Sequence, residues 1–183
     1  AAELRRDGVG APILLLSEPR PAEMAELAGL SGVRPTVYTP EGVEAFAATA
    51  APGSPVHLKV DTGMHRVGVA PHGAVDLAGR VVGAGLVLEG VFTHFALADR
   101  TDEPITGLQV ERFDAVLAQL ADAGFDPPLT HQANTAGVLN RPDRHRSMGR
   151  VGVGIYGVEP APLPRTRCME PGLQAAGLLA SGV

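Results

Sequence analysis

Short apolar runs alternate with stretches in which apolar residues recur every three or four positions. The runs 13–17 (ILLLS), 35–39 (PTVYT), 55–61 (PVHLKVD), 87–95 (VLEGVFTHF), 129–134 (LTHQAN) and 150–156 (RVGVGIY) read as strands. The stretches 21–29, 41–49, 71–83 and 104–123 read as helices. The last is the clearest, because Phe113, Val116, Leu117 and Leu120 make one apolar stripe at helical spacing. Gly124 stands where that helix would stop, and Pro21, Pro71 and Pro104 stand near helix starts, where a missing N–H costs least.

Strand following helix following strand predicts βα units and a parallel sheet. Six units in 183 residues is about 30 residues each, and eight such units would make the ~250 residues of a (β/α)8 barrel. The alternative is a doubly wound open sheet, whose nucleotide-binding forms often carry a Gly-rich first turn. No G-x-G-x-x-G stands between a strand and a helix, so the barrel is favoured. The prediction is an α/β chain whose residues 1–160 form part of a TIM-type barrel. The Pro-rich EPAPLPRTR then reads as an exit, with 161–183 a linker and the start of a further domain. The chain opens as AAELRRDG, like the tail of a helix, and stops at GLLASGV, like the start of a strand, so a fragment is expected.

Composition narrows the classes. A formal net charge of −5 gives no reason to expect nucleic acid or an anionic membrane. Aromatic residues at 4%, with no Trp, leave little surface for stacking bases. No apolar run approaches the ~20 residues of a membrane span, and no signal peptide opens the chain. The single cysteine, Cys168, excludes an internal disulfide framework and points to a reducing, cytoplasmic setting. Lys59 is the one lysine among 15 basic residues, so lysine chemistry within the chain can only be its own.

Polar residues cluster where the strands end, which in a barrel is the active-site rim. Lys59, Asp61, Thr62, His65 and Arg66 follow one strand, and Thr93, His94 and Asp99 another. Asn134 and Thr135 follow a third. Alternation along 150–156 puts Arg150, Gly152, Gly154 and Tyr156 on one face and Val151, Val153 and Ile155 on the other. The valine face would pack on helices, and the other would aim an arginine and two glycines inward. An inward arginine needs a partner or a ligand, while inward glycines leave room and bare backbone N–H groups that, with Thr135, suit a phosphate. Blander readings stand beside these: a glycine bulge at Gly152, a core histidine at His94, a Lys59–Asp61 ion pair, and capping by Asn134 and Thr135. His57, His65, His72, His131 and His145 show no metal-ligand spacing and read as non-ligands.

K-V-D-T-G-M-H-R-V-G (59–68), F-T-H-F-A-L-A-D (92–99), H-Q-A-N-T-A (131–136) and R-V-G-V-G-I-Y-G (150–157) together resemble the alanine racemases, in order and in spacing, over nearly the whole chain. The resemblance implies a pyridoxal 5′-phosphate (PLP) enzyme with a barrel domain followed by a β domain. It implies a homodimer that interconverts L- and D-alanine and supplies D-alanine for peptidoglycan. This chain would span barrel strands three to eight. The lysine that binds the cofactor covalently and the tyrosine that serves as second base would both lie outside it, so the chain by itself is expected to be inactive. A PLP barrel of broader amino-acid racemase specificity and a non-catalytic PLP-carrier protein are the alternatives. Carriers do not usually show K-V-D-T-G-M-x-R.

By the same resemblance, Arg66 contacts the substrate carboxylate and the cofactor's phenolic oxygen, and Lys59 matches a position often carbamylated by CO2. Arg150 faces the pyridine nitrogen, His94 hydrogen-bonds that arginine, Asn134 is a site asparagine, and Thr135, Gly152 and Val153 bind phosphate. His65 occupies a position often glycine in the family and carries no assigned role.

Overall fold

Proline starts α2 (Pro21–Ala28) and α3 (Pro40–Ala47), and a Pro71–Gly73 turn leads into α4 (Ala74–Gly83). These helices and α5 (Ile105–Asp122) cover strands that run in the same direction throughout. The protein is described by a computed structural model for residues 1–158 and Pro160. The proposed linker and further domain at 161–183, with Cys168, fall outside the described residues.

A short helix α1 (Ala2–Arg6) precedes β1 (Ile13–Leu14). β2 (Val33–Arg34) pairs with β1 on one side, and β3 (Thr36–Val37) pairs with β4 (Pro55–Lys59) on the other. Pro35 separates β2 from β3; its ring lacks the N–H that a continuous ladder would use. β5 (Val87–Phe92) and β6 (Leu129–His131) complete the order β3-β4-β5-β6. Strand order follows chain order with no reversal, as in a barrel and unlike a doubly wound sheet. The barrel is partial: among the described residues, β1 has no neighbour on its outer side.

The apolar stripe does what its spacing predicts. Phe113, Val116 and Leu120 are buried, and Leu117 packs beside them. They meet Val56, Leu58, Leu88 and Val91 from the outer sheet face, each such side chain stabilising the fold by about 1.5–3 kcal/mol. The odd positions between, His57 and Lys59, lie on the inner face and are buried as well.

The predicted strand at 150–156 is corrected. Only one bridge forms there, Asn134 with Arg150, after which Val153–Tyr156 winds into a 3₁₀ turn closed by Gly157 at φ 75°. The cause is the neighbour: beyond His131 and Asn134 the chain turns into α6 (Thr135–Asn140), so no further extended backbone remains to pair with. The face assignment fails with it, because Val151, Val153 and Ile155 are 40%, 49% and 61% exposed rather than packed on helices.

Candidate active site

Register sets the floor. Lys59 pairs with Phe92, and Phe92 with His131, so the three stand side by side across β4, β5 and β6. The His131 imidazole stacks on the Phe92 ring with centroids 4.5 Å apart and planes 10° apart. Arg150 Cζ lies 5.0 Å from that ring's centroid and Lys59 Nζ 5.5 Å from it, so one aromatic ring meets two cations.

Arg150 turns inward even though its strand does not form. Its backbone N–H donates to Ala133 O at 2.9 Å. Its Nη2 donates to Thr93 O at 2.6 Å, to Gln132 O at 3.2 Å and to His94 Nδ1 at 3.3 Å, and its Nη1 donates to His131 Nδ1. The predicted contact with His94 is therefore present. Nε is buried and has no acceptor. Burial lowers the Arg150 pKa to about 10, so the guanidinium remains charged at neutral pH. Burial, then Arg150, Lys59 and Arg66, push His94 down to about 4. Gln109, itself fully buried, holds the loop after β5 by donating to His94 O at 2.9 Å and accepting from Ala96 N at 2.9 Å.

Lys59 Nζ donates to Leu16 O at 3.3 Å, and burial, reinforced by Arg66 and Arg150, lowers its pKa. The ion pair with Asp61 does not form. Asp61 Oδ1 instead accepts from the backbone N–H groups of Gly63 (3.0 Å), Met64 (2.9 Å) and His65 (3.0 Å). Burial opposes that carboxylate, but the three donors hold its pKa below the ordinary value. The turn shapes the loop that carries the exposed Arg66. His65 adopts φ 56°, a left-handed conformation in which glycine is least strained, and this gives the position its structural meaning.

Asn134 is the cap of α6: its Oδ1 accepts from Gly137 N at 2.9 Å, and its Nδ2 donates to Phe95 O at 3.4 Å. Thr135 Oγ1 accepts from Gly152 N at 3.0 Å, which ties α6 to the segment after Arg150. A Cβ on Gly154 would lie 2.7 Å from Thr135 Cγ2, so that glycine is required by contact, whereas a Cβ on Gly152 would meet nothing within 4 Å. His94, Asn134, Thr135, Arg150, Gly152 and Val153 line one cavity of about 310 Å3. Lys59 and Arg66 are not among its lining residues. A larger hollow of about 680 Å3 lies along β1 and α2 and contains none of the predicted residues.

Sequence reasoning missed the interior behind Arg150. His131 Nε2 lies 2.9 Å from His57 Nδ1, and His57 Nε2 lies 3.2 Å from Glu89 Oε2. Glu89 in turn receives Arg34 Nε at 3.1 Å and Nη2 at 3.3 Å. His57 was findable, since strand alternation puts it on the same face as Lys59. Glu89 was not. A register shift between Val56 and His57 leaves Glu89 and Gly90 together opposite one partner, which breaks the period. Among the described residues no group of three His, Cys, Asp or Glu is placed to hold a metal ion, and no helix is long and apolar enough to cross a membrane.

A parallel βα sheet in chain order, with cationic residues and a cavity at its strand ends, defines a partial α/β barrel with a candidate site at its rim. The chain belongs to the alanine racemase N-terminal domain family, whose model matches residues 1–160. It is 42% identical over 164 residues to an alanine racemase of Symbiobacterium thermophilum, covering 87% of this chain and 43% of that protein. An alanine racemase of Treponema denticola is 40% identical over 169 residues, covering 88% and 44%. Among solved structures, alanine racemase from E. faecalis superposes with a TM-score of 0.78 at 38% identity, covering 88% of this chain and 44% of that one. The alanine racemase of Clostridium difficile 630 in complex with cycloserine gives 0.81 at 28% identity, covering 91% and 47%. The chain thus spans less than half the length of the relatives it matches.

Proposed function

We propose that this chain supplies the cofactor cradle of a PLP-dependent racemase that interconverts L- and D-alanine, and that its strand positions correspond to barrel strands three to eight. The observation that carries the reading is Arg150: a half-buried, charged guanidinium gripped by His131, His94, Thr93 O and Gln132 O, its Nε left without an acceptor, in a residue that lines a 310 Å3 cavity. A pyridine nitrogen is an acceptor of the kind that Nε lacks. An arginine there, rather than an acid, keeps the ring nitrogen from gaining a full proton. The open space at Gly152 favours the same ligand, since a side chain there would occupy the cavity.

When bound, PLP acidifies the α-proton of an amino acid by delocalising the electrons left behind. The residues of this chain bind and orient. The Thr135 hydroxyl, having accepted from Gly152, still has a proton to donate to a phosphate oxygen. Gly152 and the Val153 N–H, at the first position of the 3₁₀ turn, frame the same spot. Asn134 holds the start of α6 in register with it. Arg66 is read as binding the substrate carboxylate. Lys59, desolvated and facing two arginine charges, suits conversion to a carbamate, whose negative charge would balance Arg66. Neither proton-transfer group is assigned to this chain. The resemblance puts both elsewhere in the protein, with the tyrosine reaching across a homodimer. D-alanine made this way would serve peptidoglycan synthesis.

The test compares the complete gene product and this chain alone, each with PLP, for D-alanine formed from L-alanine against a PLP blank. The complete product should turn over, and this chain alone should match the blank. Absence of turnover by the complete product with alanine, but turnover with another amino acid, would replace the substrate. Turnover by this chain that is lost in Lys59→Ala would make Lys59 the cofactor lysine and overturn the assignment.

A further inference from the structure

Arg150, His131, His57, Glu89 and Arg34 form one unbroken hydrogen-bonded line that runs from the rim along the inner face of the sheet. The bond types along it leave little freedom. A guanidinium can only donate, so the bond from Arg150 Nη1 requires a bare His131 Nδ1. The proton of a neutral His131 then sits on Nε2, which donates across 2.9 Å to His57 Nδ1. The proton of His57 is thereby left on Nε2, facing Glu89 Oε2 at 3.2 Å. A carboxylate can only accept, and Arg34 holds it in a two-pronged grip. Both ends demand the same direction.

We propose that Glu89 is a positioning residue for Arg150: its carboxylate fixes both histidines as Nε2–H tautomers, and these present the bare Nδ1 of His131 that locks the guanidinium at the rim. What the locked guanidinium does rests on the cofactor reading above; the tautomer chain does not.

The surroundings agree. Burial, with Arg150 and His57 adding to it, lowers His131 to about 2, so it stays neutral. Burial lowers His57 too, although Glu89 pulls the other way. Glu89 is held ionised by Arg34 and His57 against its own burial. The bulge is what aims Glu89 inward, and Gly90 is its companion, since a Cβ there would lie 2.4 Å from His57 Cε1. An ordinary half-exposed Glu–Arg pair would be worth only about 0–1 kcal/mol and would set nothing at the rim. Glu89→Gln separates the two roles. One carboxylate oxygen becomes an NH2 group, which must face either Arg34 or His57. Facing Arg34 it opposes donor to donor with a guanidinium that cannot turn acceptor, so it faces His57, whose ring can adapt, and forces the proton of that ring onto Nδ1.

The experiment uses the complete gene product with 15N-labelled histidine, the two rings being assigned by loss of signal in His57→Gln and His131→Gln. At pH 7 both rings should be neutral Nε2–H tautomers, with scalar coupling across the hydrogen bond from His131 Nε2–H to His57 Nδ1. Glu89→Gln should move at least one ring toward Nδ1–H and lower kcat about tenfold with KM for alanine little changed, the size usual for loss of an outer partner of a functional group. A wild-type ring that is charged or protonated on Nδ1, or the absence of that coupling, overturns the proposal without any variant. A folded Glu89→Gln protein that keeps both tautomers overturns it as well. Shifted tautomers with unchanged kcat support the role of Glu89 and remove the cofactor role proposed for Arg150 instead.

Discussion

His131 should make this domain acid-sensitive well above the carboxylate range. The folded state keeps the ring neutral down to about pH 2, because burial and the Arg150 charge both oppose protonation. An unfolded histidine takes its proton near 6.5. The unfolded state therefore binds more protons below that value, and stability falls with pH. The contribution is complete above about pH 6.5 and declines at about 1.4 kcal/mol per unit as pH drops toward the folded value. Between pH 7 and pH 5 that amounts to roughly 2 kcal/mol from one ring, a sizeable share of a typical 5–15 kcal/mol. The comparison variant is His131→Gln, which keeps an acceptor for Arg150 and a donor for His57 but cannot titrate. Urea midpoints of wild type and variant at pH 7 and pH 5, on the complete gene product, give the difference directly, since other titrating groups cancel. Wild type should lose about 2 kcal/mol more than the variant over that interval. Equal losses in the two proteins would show that His131 accepts its proton in the folded state and that the buried line is not what it looks like.

Three further outcomes are expected. Gly90→Ala should cost about 1–3 kcal/mol in thermal unfolding, because its Cβ would have to displace the His57 ring from 2.4 Å. Asp61→Ala should cost about 1–3 kcal/mol and raise KM for alanine, since three backbone donors lose their acceptor and the loop carrying Arg66 loosens. The complete protein equilibrated with 13C-bicarbonate should show a carbamate carbon signal that disappears in Lys59→Arg; an unmodified ammonium at full activity would remove the carbamate from the scheme.

What could be read from the chain, and what could not, divides by range of interaction. The stripe of α5 and the outward Val56 and Leu58 of β4 are local periodicities, and they pack as spaced. Arg150 was legible as an inward cation meeting His94, yet for a reason that did not hold. Alternation at 150–156 suits a strand and a glycine-rich turn equally, and the choice fell to whether a neighbouring strand exists to pair with. Asn134 and Thr135 admit both a capping and a binding reading from sequence. In the structure Asn134 caps, while Thr135 bonds to Gly152 across 17 residues. Glu89 escaped because one extra residue in a strand resets its period, and nothing in L-E-G-V alone announces the shift.

The close approach of position 90 to the ring at position 57 also makes two sites of this chain one unit of change. As long as an imidazole stands at 57, the strand beside it tolerates no side chain at 90. A smaller residue at 57 would release that restriction and at the same moment leave Glu89 with no ring to meet. A change at either position therefore alters what the other can be, and it is felt at both ends of the line, at Arg34 and at Arg150.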